Sequence, residues 1–313
     1  MLAKIPIFIT AKLIYLFALF VFLAILSYTL VNIKTSGTPS ESPPPIAQAT
    51  KPPKTKKETR NLRVETAIKS AQNLPGKYGI FVKDLKTQNT YELNSAQVFD
   101  AASVYKLAVM YMTFDQIHKN VLSENQILSL PQSELDKIIL DEKDSGTESN
   151  SQATISYSVQ EALRLMITIS DNNAALLLSE KLGWTNIDKF METEGFSEIN
   201  LMGANSPNVT ARSIGALLGK IYKKEAVSKK FSEEMISLLI NQKVNDRIPK
   251  YLPADIKIAH KTGELETIRN DAGIVFGKKG DYIFVFLTDT KNPPDASETI
   301  ATLSKQIFKE LEK

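Results

Sequence analysis

The order of strand-like and helix-like segments in residues 64–313 restricts this chain to a few fold classes. Strand-like segments rich in β-branched and aromatic residues occur at both ends of this body: Tyr78–Leu85, Thr90–Leu93, Ile256–Lys261, Asn270–Phe276 and Tyr282–Asp289. They do not alternate with single helices, which argues against a doubly wound parallel sheet. The order predicts an α+β fold in which one antiparallel sheet is assembled from both ends of the body.

Helical spacing of apolar residues accounts for much of the remaining body. Val64–Leu74 and Ala296–Leu311 are expected to form terminal helices that flank the sheet. The helical segments between the strands are Ser103–His118, Val159–Ile169, Ala174–Leu182, Thr185–Glu194, Thr210–Tyr222 and Phe231–Gln242. These are expected to form an all-helical lobe. A cleft between this lobe and the sheet is the expected place for a ligand.

The first 63 residues differ from the body in composition. Leu13–Ile33 has 21 residues without a charge, enough helix to cross the roughly 30 Å hydrocarbon core of a bilayer. A cleaved signal peptide is the alternative, but residues 27–37 offer no small-x-small cleavage site. Residues 34–63 are rich in Pro, Ser, Thr and Lys, which is typical of a disordered tether. We expect one transmembrane anchor helix within residues 1–33, a tether over 34–63 and a folded domain over 64–313.

The distribution of charge follows the same division. Residues 1–63 hold nine Lys or Arg against two Glu, a balance of +7, so the remaining 250 residues carry −4. An acidic body argues against nucleic acid as a partner, because phosphate binding needs a basic face. Lys4 and Lys12 precede the apolar run, and only Lys34 follows it closely. This bias favours a single-pass protein of the cell membrane whose body lies on the extracytoplasmic side.

Composition also limits the chemistry. The chain has only two histidines, His118 and His260, and no cysteine, so a His-based triad, a Cys nucleophile and a zinc site lack their usual parts. It has neither a Gly-rich phosphate loop nor a G-x-S-x-G motif. We therefore expect no metal and no cofactor. The nucleophile that remains is a hydroxyl group activated by a lysine.

Ser103 and Lys106 fit this requirement, because side chains three residues apart share one face of a helix. A lysine amine becomes a base near neutral pH when it is buried. Alone, the pair favours the simpler interpretation of an N-cap serine and an unrelated lysine. Two further motifs favour the functional interpretation: S-D-N at Ser170–Asn172, between two helices, and K-T-G at Lys261–Gly263, on a terminal strand.

With S-x-x-K, S-D-N and K-T-G in this order, the body resembles the penicillin-recognising serine hydrolases, and their class A β-lactamase branch in particular. The segments that carry the resemblance are Phe99–Lys106, Ser170–Leu178, Val209–Arg212 and Lys261–Val275. It covers about residues 64–313 and excludes the anchor and tether. The resemblance implies a β-lactamase/transpeptidase-like fold and a monomeric catalytic domain. It also implies a small-molecule substrate, either a β-lactam or a D-alanyl peptide.

The resemblance assigns a catalytic role to five residues. Ser103 is the expected nucleophile, and Lys106 is expected to accept its proton or to stabilise the alkoxide. Ser170 is expected to relay that proton toward the leaving nitrogen, with Lys261 keeping the relay polarised. The backbone N–H groups of Ser103 and Glu264 are expected to form an oxyanion hole.

Four more residues are expected to bind the substrate. Asn172 would bind the side-chain amide of the substrate, and Thr262 and Arg269 would bind the carboxylate of the substrate. Gly263 lies where the strand is expected to pass beside the acyl carbonyl. Arg269 is one residue nearer to the K-T-G motif than the family pattern usually has it.

One family feature is missing. Class A enzymes carry a Glu in an E-x-x-L-N loop that activates the water for deacylation. Gly195–Thr210 has no such motif, and its only acid, Glu198, is the candidate base, with an exposed turn residue as the alternative. Three functions stay open: a β-lactam hydrolase acting through an acyl-enzyme on Ser103, a D,D-peptidase-like acyl-transferase that β-lactams trap, and a non-catalytic wall-binding module.

Overall fold

The computed structural model describes residues 61–140, 153–203 and 206–313. The predicted anchor over Leu13–Ile33 and nearly all of the predicted tether lie outside these ranges. None of the helices within the described ranges combines the length and the apolar character that a bilayer span requires.

This part of the chain contains nine strands and nine α-helices. The strands are β1 Lys77–Asp84, β2 Thr90–Leu93, β3 Val98–Asp100, β4 Ile127–Pro131, β5 Thr154–Ser158, β6 Asn208–Thr210, β7 Lys257–Glu264, β8 Arg269–Phe276 and β9 Asp281–Asp289. The helices are α1 Leu62–Ser70, α2 Lys106–His118, α3 Gln132–Leu140, α4 Val159–Thr168, α5 Asn172–Leu182, α6 Trp184–Thr193, α7 Ala211–Tyr222, α8 Lys229–Ile240 and α9 Pro293–Leu311. Two short 3-10 turns, Ala71–Asn73 and Ala102–Tyr105, precede β1 and α2.

One five-stranded antiparallel sheet joins the two ends of the body. Its strand order is β2-β1-β9-β8-β7, so β9, from the C-terminal part, pairs with β1, from the N-terminal part. The α+β class and the assembly of the sheet from both ends are therefore confirmed. Strand β7 lies at one edge of the sheet, where its outer side is available to the helical lobe.

Both faces of the sheet are buried. On β9, Ile283, Val285 and Leu287 belong to the core shared with the helical lobe. The alternate residues Tyr282, Phe284 and Phe286 belong to the core shared with α1 and α9. Successive side chains of a strand point to opposite faces, so this run builds two cores at once. The terminal helices thus cover one face and the helical lobe covers the other, as expected.

Two small antiparallel pairs were not predicted. Strand β3 pairs with β6, and this ribbon leads directly into the turn that carries Ser103. Strands β4 and β5 form a second pair in the part of the chain between α2 and α4. Strands β3 and β6, with three residues each, have too few residues for a clear alternation of apolar and polar side chains.

The ends of several elements differ from expectation, and three of them are informative. Helix α1 begins at Leu62, within the predicted tether, because the Asn61 side chain accepts hydrogen bonds from the N–H groups of Arg63 and Val64. Ser103 lies on a 3-10 turn instead of inside an α-helix. Strand β7 continues to Glu264, three residues beyond the predicted segment Ile256–Lys261.

Candidate active site

A strained turn carries Ser103. Ala102 has φ of 41°, in the left-handed region that residues with a Cβ rarely adopt, so the turn requires support from its surroundings. Asn270, fully buried on β8, supplies it by donating from Nδ2 to the backbone oxygens of Asp100 at 2.9 Å and Ala101 at 3.2 Å. The sheet therefore fixes the conformation of the turn.

The edge strand β7 comes very close to the same turn. A Cβ on Gly263 would lie 3.0 Å from the carbonyl oxygen of Ala101 and 3.2 Å from the backbone nitrogen of Ser103. Glycine permits this approach without displacing the turn. The K-T-G strand is thus adjacent to the N–H of Ser103, and Glu264 is the next residue along it.

Lys106 is fully buried one helical turn after Ser103. Its Nζ donates to the carbonyl oxygen of Ser170 at 2.8 Å, to Asn172 Oδ1 at 2.7 Å and to Ser170 Oγ at 3.3 Å. Burial lowers the pKa of Lys106 to about 7, although the nearby Asp171 carboxylate opposes the shift. A substantial fraction of this amine is therefore neutral, and able to accept a proton, near pH 7.

The hydroxyl group of Ser170 is in contact with the amines of two lysines. It has φ of 60° and lies just before α5, whose N-terminus is capped by the Asp171 carboxylate, which accepts from the N–H of Ala174 at 2.7 Å. Lys261 Nζ donates to Ser170 Oγ at 2.9 Å. Burial, together with the positive charge of Lys106, holds the pKa of Lys261 well below its usual value. The S-x-x-K, S-D-N and K-T-G motifs therefore converge on one hydroxyl group.

A pocket of about 220 Å³ lies beside this cluster. It is lined by Asp100, Ala102, Ser103, Tyr105, Ile138, Asn172, Leu176, Trp184, Ser206, Pro207, Glu264 and Leu265. The rings of Tyr105 and Trp184 form one wall, with centroids 5.9 Å apart. Ser103, Asn172 and Glu264 are the predicted site residues among its lining. The pocket therefore combines an apolar aromatic wall with the polar groups around Ser103.

Arg247, a buried residue in contact with the pocket-lining Glu264, was missed by sequence reasoning. Its side chain is fully buried, and Nη2 donates to Glu264 Oε2 at 2.7 Å. Within the described ranges Nη1 has no hydrogen-bond partner. The arginine lies in the loop before β7, outside any recognised motif, and its positive charge helps to lower the pKa of Lys261. Only the packing of that loop on the sheet reveals its position.

Arg269 and Thr262, the residues predicted to bind the substrate carboxylate, have different surroundings. Arg269 Nη2 lies 3.1 Å from Glu264 Oε1, and Nη1 donates to the carbonyl oxygens of Leu265 at 2.5 Å and Ile268 at 2.7 Å. The Arg269 guanidinium thus donates mainly to carbonyl oxygens of its own loop. Thr262 is a buried residue of β7. The Glu264 carboxylate bridges two guanidinium groups.

Glu198 lies outside the pocket lining. Its side chain is exposed, and Oε2 accepts a hydrogen bond from Thr210 Oγ1 at 2.6 Å. Thr210 is the N-cap of α7, where its Oγ1 accepts from the N–H of Ser213 at 3.1 Å. The contacts of Glu198 are those of a residue that supports a helix N-terminus.

Comparison with known proteins identifies the family of this chain. The model of the β-lactamase enzyme family matches residues 61–311. The chain therefore belongs to the β-lactamase enzyme family. The curated β-lactamase BRO-1 of Moraxella catarrhalis is 27% identical, over 48% of this chain and 55% of that protein. The chain thus matches about half the length of this curated relative.

Two solved structures have the same fold. The β-lactamase from Chitinophaga pinensis has a TM-score of 0.69 and 23% identity, covering 80% of this chain and 100% of that one. A variant of PBP-A in an acyl-enzyme complex with penicillin G has a TM-score of 0.69 and 22% identity, covering 80% of this chain and 96% of that one. At these identities the likeness establishes the fold alone.

Proposed function

We propose that this protein is a class A-like serine hydrolase that opens β-lactams through an acyl-enzyme on Ser103. The observation that carries the proposal is the convergence of Lys106 and Lys261 on Ser170 Oγ, beside the pocket that Ser103 lines. Burial lowers the pKa of both amines, and the pKa of Lys106, lowered to about 7, suits proton transfer near neutral pH. This arrangement can activate a serine without a histidine.

Acylation then follows from these contacts. Ser103 Oγ attacks the β-lactam carbonyl carbon, and its proton passes to the neutral amine of Lys106. As the C–N bond breaks, Lys106 returns that proton through Ser170 Oγ to the leaving nitrogen, so that the amine is neutral again. The N–H groups of Ser103 and Glu264 are suited to stabilise the oxyanion, because β7 passes close to the turn.

The substrate carboxylate is expected to bind at the cationic end of the cleft. The Arg247 side chain is fully buried, and within the described ranges its Nη1 has no hydrogen-bond partner. Its positive charge also lowers the pKa of Lys261. A buried guanidinium without full hydrogen bonding favours a carboxylate ligand. The Glu264 carboxylate contacts both Arg247 and Arg269. The substrate carboxylate would either displace Glu264 from these arginines or bind them together with it.

Replacing Arg247 with Met should raise KM for a carboxylate-bearing β-lactam by about 10- to 100-fold, the usual worth of a hydrogen bond to a charged group. The methyl ester of the same β-lactam is the matched control, because it cannot use the cation. Steady-state kinetics with both compounds measure the difference. Equal losses for the acid and the ester would mean that Arg247 acts only on folding of the site.

A chromogenic cephalosporin tests the proposed function. A hydrolase must release the acyl group from Ser103 in every cycle. Sustained turnover by the purified protein is therefore the expected result. A single stoichiometric burst without turnover would favour the D,D-peptidase-like alternative. No reaction at all would favour the wall-binding module and remove both enzymatic proposals.

The second candidate has specific support. The E-x-x-L-N motif is missing between Gly195 and Thr210, and Glu198 is engaged by Thr210 outside the pocket lining. An acyl-enzyme without a placed base would persist, as expected for a transferase that acts on peptidoglycan peptides. Release of D-alanine from a D-alanyl-D-alanine peptide, faster than cephalosporin turnover, would favour this alternative.

We also propose that Leu13–Ile33 anchors the protein in the cell membrane as a single pass, with the hydrolase on the extracytoplasmic side. The support is the charge-free run and the lysines that precede it. Added protease should digest the hydrolase domain in intact spheroplasts. Protection until the membrane is lysed would contradict this orientation.

A further inference from the structure

Two carboxylates lie among the described residues that line the pocket beside Ser103: Asp100 and Glu264. Glu264 directs Oε2 at Arg247 Nη2, 2.7 Å away, and Oε1 at Arg269 Nη2, 3.1 Å away. Both oxygens of Glu264 are therefore engaged in ion pairs with arginines, and this carboxylate is committed to those two contacts.

Asp100 has a different environment. It is half-buried at the end of β3, three residues before Ser103. Oδ1 accepts the N–H of Ala102 at 2.8 Å, and Oδ2 accepts the hydroxyl of Ser206 at 2.6 Å. Both donors are neutral. Each carboxylate oxygen can accept two hydrogen bonds, so each keeps a position for a water molecule.

These two contacts hold the carboxylate in one orientation. The bond to Ala102 ties it to the turn that carries Ser103, and the bond to Ser206 ties it to a second segment that lines the pocket. The turn itself is fixed by Asn270, which donates to the carbonyl oxygen of Asp100. Position is the first requirement of a general base, and these contacts fix the Asp100 carboxylate relative to the turn that carries Ser103.

We propose that Asp100 is the general base for deacylation, an inference that rests on the acyl-enzyme proposed above. A water molecule attacks the ester carbonyl carbon on Ser103 while one of its protons passes to the Asp100 carboxylate. The tetrahedral intermediate then collapses and the C–Oγ bond breaks. The proton on Asp100 returns to Ser103 Oγ, which restores both the carboxylate and the free serine.

The test compares Asp100→Asn with the wild-type protein in single-turnover and steady-state experiments with a chromogenic cephalosporin. The Asn side chain keeps the shape and can still accept the N–H of Ala102, but it cannot take a proton from water. Acylation should stay within a few-fold of wild type, and deacylation should fall by about 10²- to 10⁴-fold. Intact mass should show a persistent adduct. Asp100→Glu should restore part of the deacylation rate.

Asp84→Asn is the matched control. Asp84 Oδ1 accepts the N–H groups of Lys86 at 2.9 Å and Thr87 at 3.0 Å, in the β1–β2 turn, outside the pocket lining. Loss of a turn-stabilising carboxylate there should leave both rate constants unchanged.

Three results would overturn the role of Asp100. The first is an Asp100→Asn variant that deacylates at the wild-type rate. The second is an equal loss of acylation and deacylation, which would indicate a structural role in the turn. The third is a wild-type adduct that never decays, since there would then be no deacylation to catalyse. A wild-type protein that is never acylated would instead remove the proposed function itself.

Discussion

Ser103→Ala is expected to lower cephalosporin turnover by at least about 10⁴-fold, the usual effect of removing a nucleophile. Ser103 lines the pocket and lies on the turn that Asn270 supports, and its hydroxyl is the group that the two lysines would serve. Without it no ester can form, so neither a burst nor an adduct should appear. Absorbance at the wavelength of the opened ring measures the rate.

Ser129→Ala is a suitable control, because its hydroxyl contacts only Ser156 among the described hydrogen bonds and lies on the β4–β5 pair. That variant should keep full activity. Residual turnover in Ser103→Ala above about one per cent of wild type would show that another group attacks the substrate.

The second large effect concerns the base for acylation. Lys106→Ala removes an amine whose pKa is lowered to about 7 by burial, and acylation should fall by about 10²- to 10⁴-fold. In the wild-type protein the neutral amine is the active form. The acylation rate constant should therefore rise about tenfold per pH unit below pH 7 and level off above it.

Stopped-flow acylation across this pH range measures both effects. Lys181→Ala, an exposed lysine on α5, should behave as wild type. An acylation rate that does not change between about pH 6 and 8 would contradict the role of Lys106, as would a Lys106→Ala variant that acylates normally.

Much of the fold could be predicted because its signals are periodic. The strands of the large sheet and the helices of the lobe each have enough residues to show an alternating or helical pattern. The three motifs could be recognised for a related reason, since each is a fixed sequence of chemically specific residues. The structure brings Lys106, Ser170 and Lys261 into hydrogen-bond contact, while the roles of these residues stay predictions.

The rest depends on contacts between distant segments. The left-handed turn at Ala102 is stabilised by Asn270, which is remote in sequence and belongs to no motif. The importance of Arg247 appears only when the loop before β7 is packed against Glu264. Asp100 has an ordinary sequence context, and its place in the pocket follows from the ribbon of β3 with β6. Such positions carry no local signal in one sequence.

The central claim is that a covalent acyl-enzyme forms on Ser103 and is then hydrolysed. Peptide mapping by mass spectrometry, with samples quenched at successive times after addition of a penicillin, tests it most directly. The expected result is one adduct, with the mass of the intact penicillin, on the peptide that contains Ser103, rising to about one per protein and decaying as free penicilloic acid accumulates. An adduct on another residue, or hydrolysis without any adduct under fast quenching, would contradict the account.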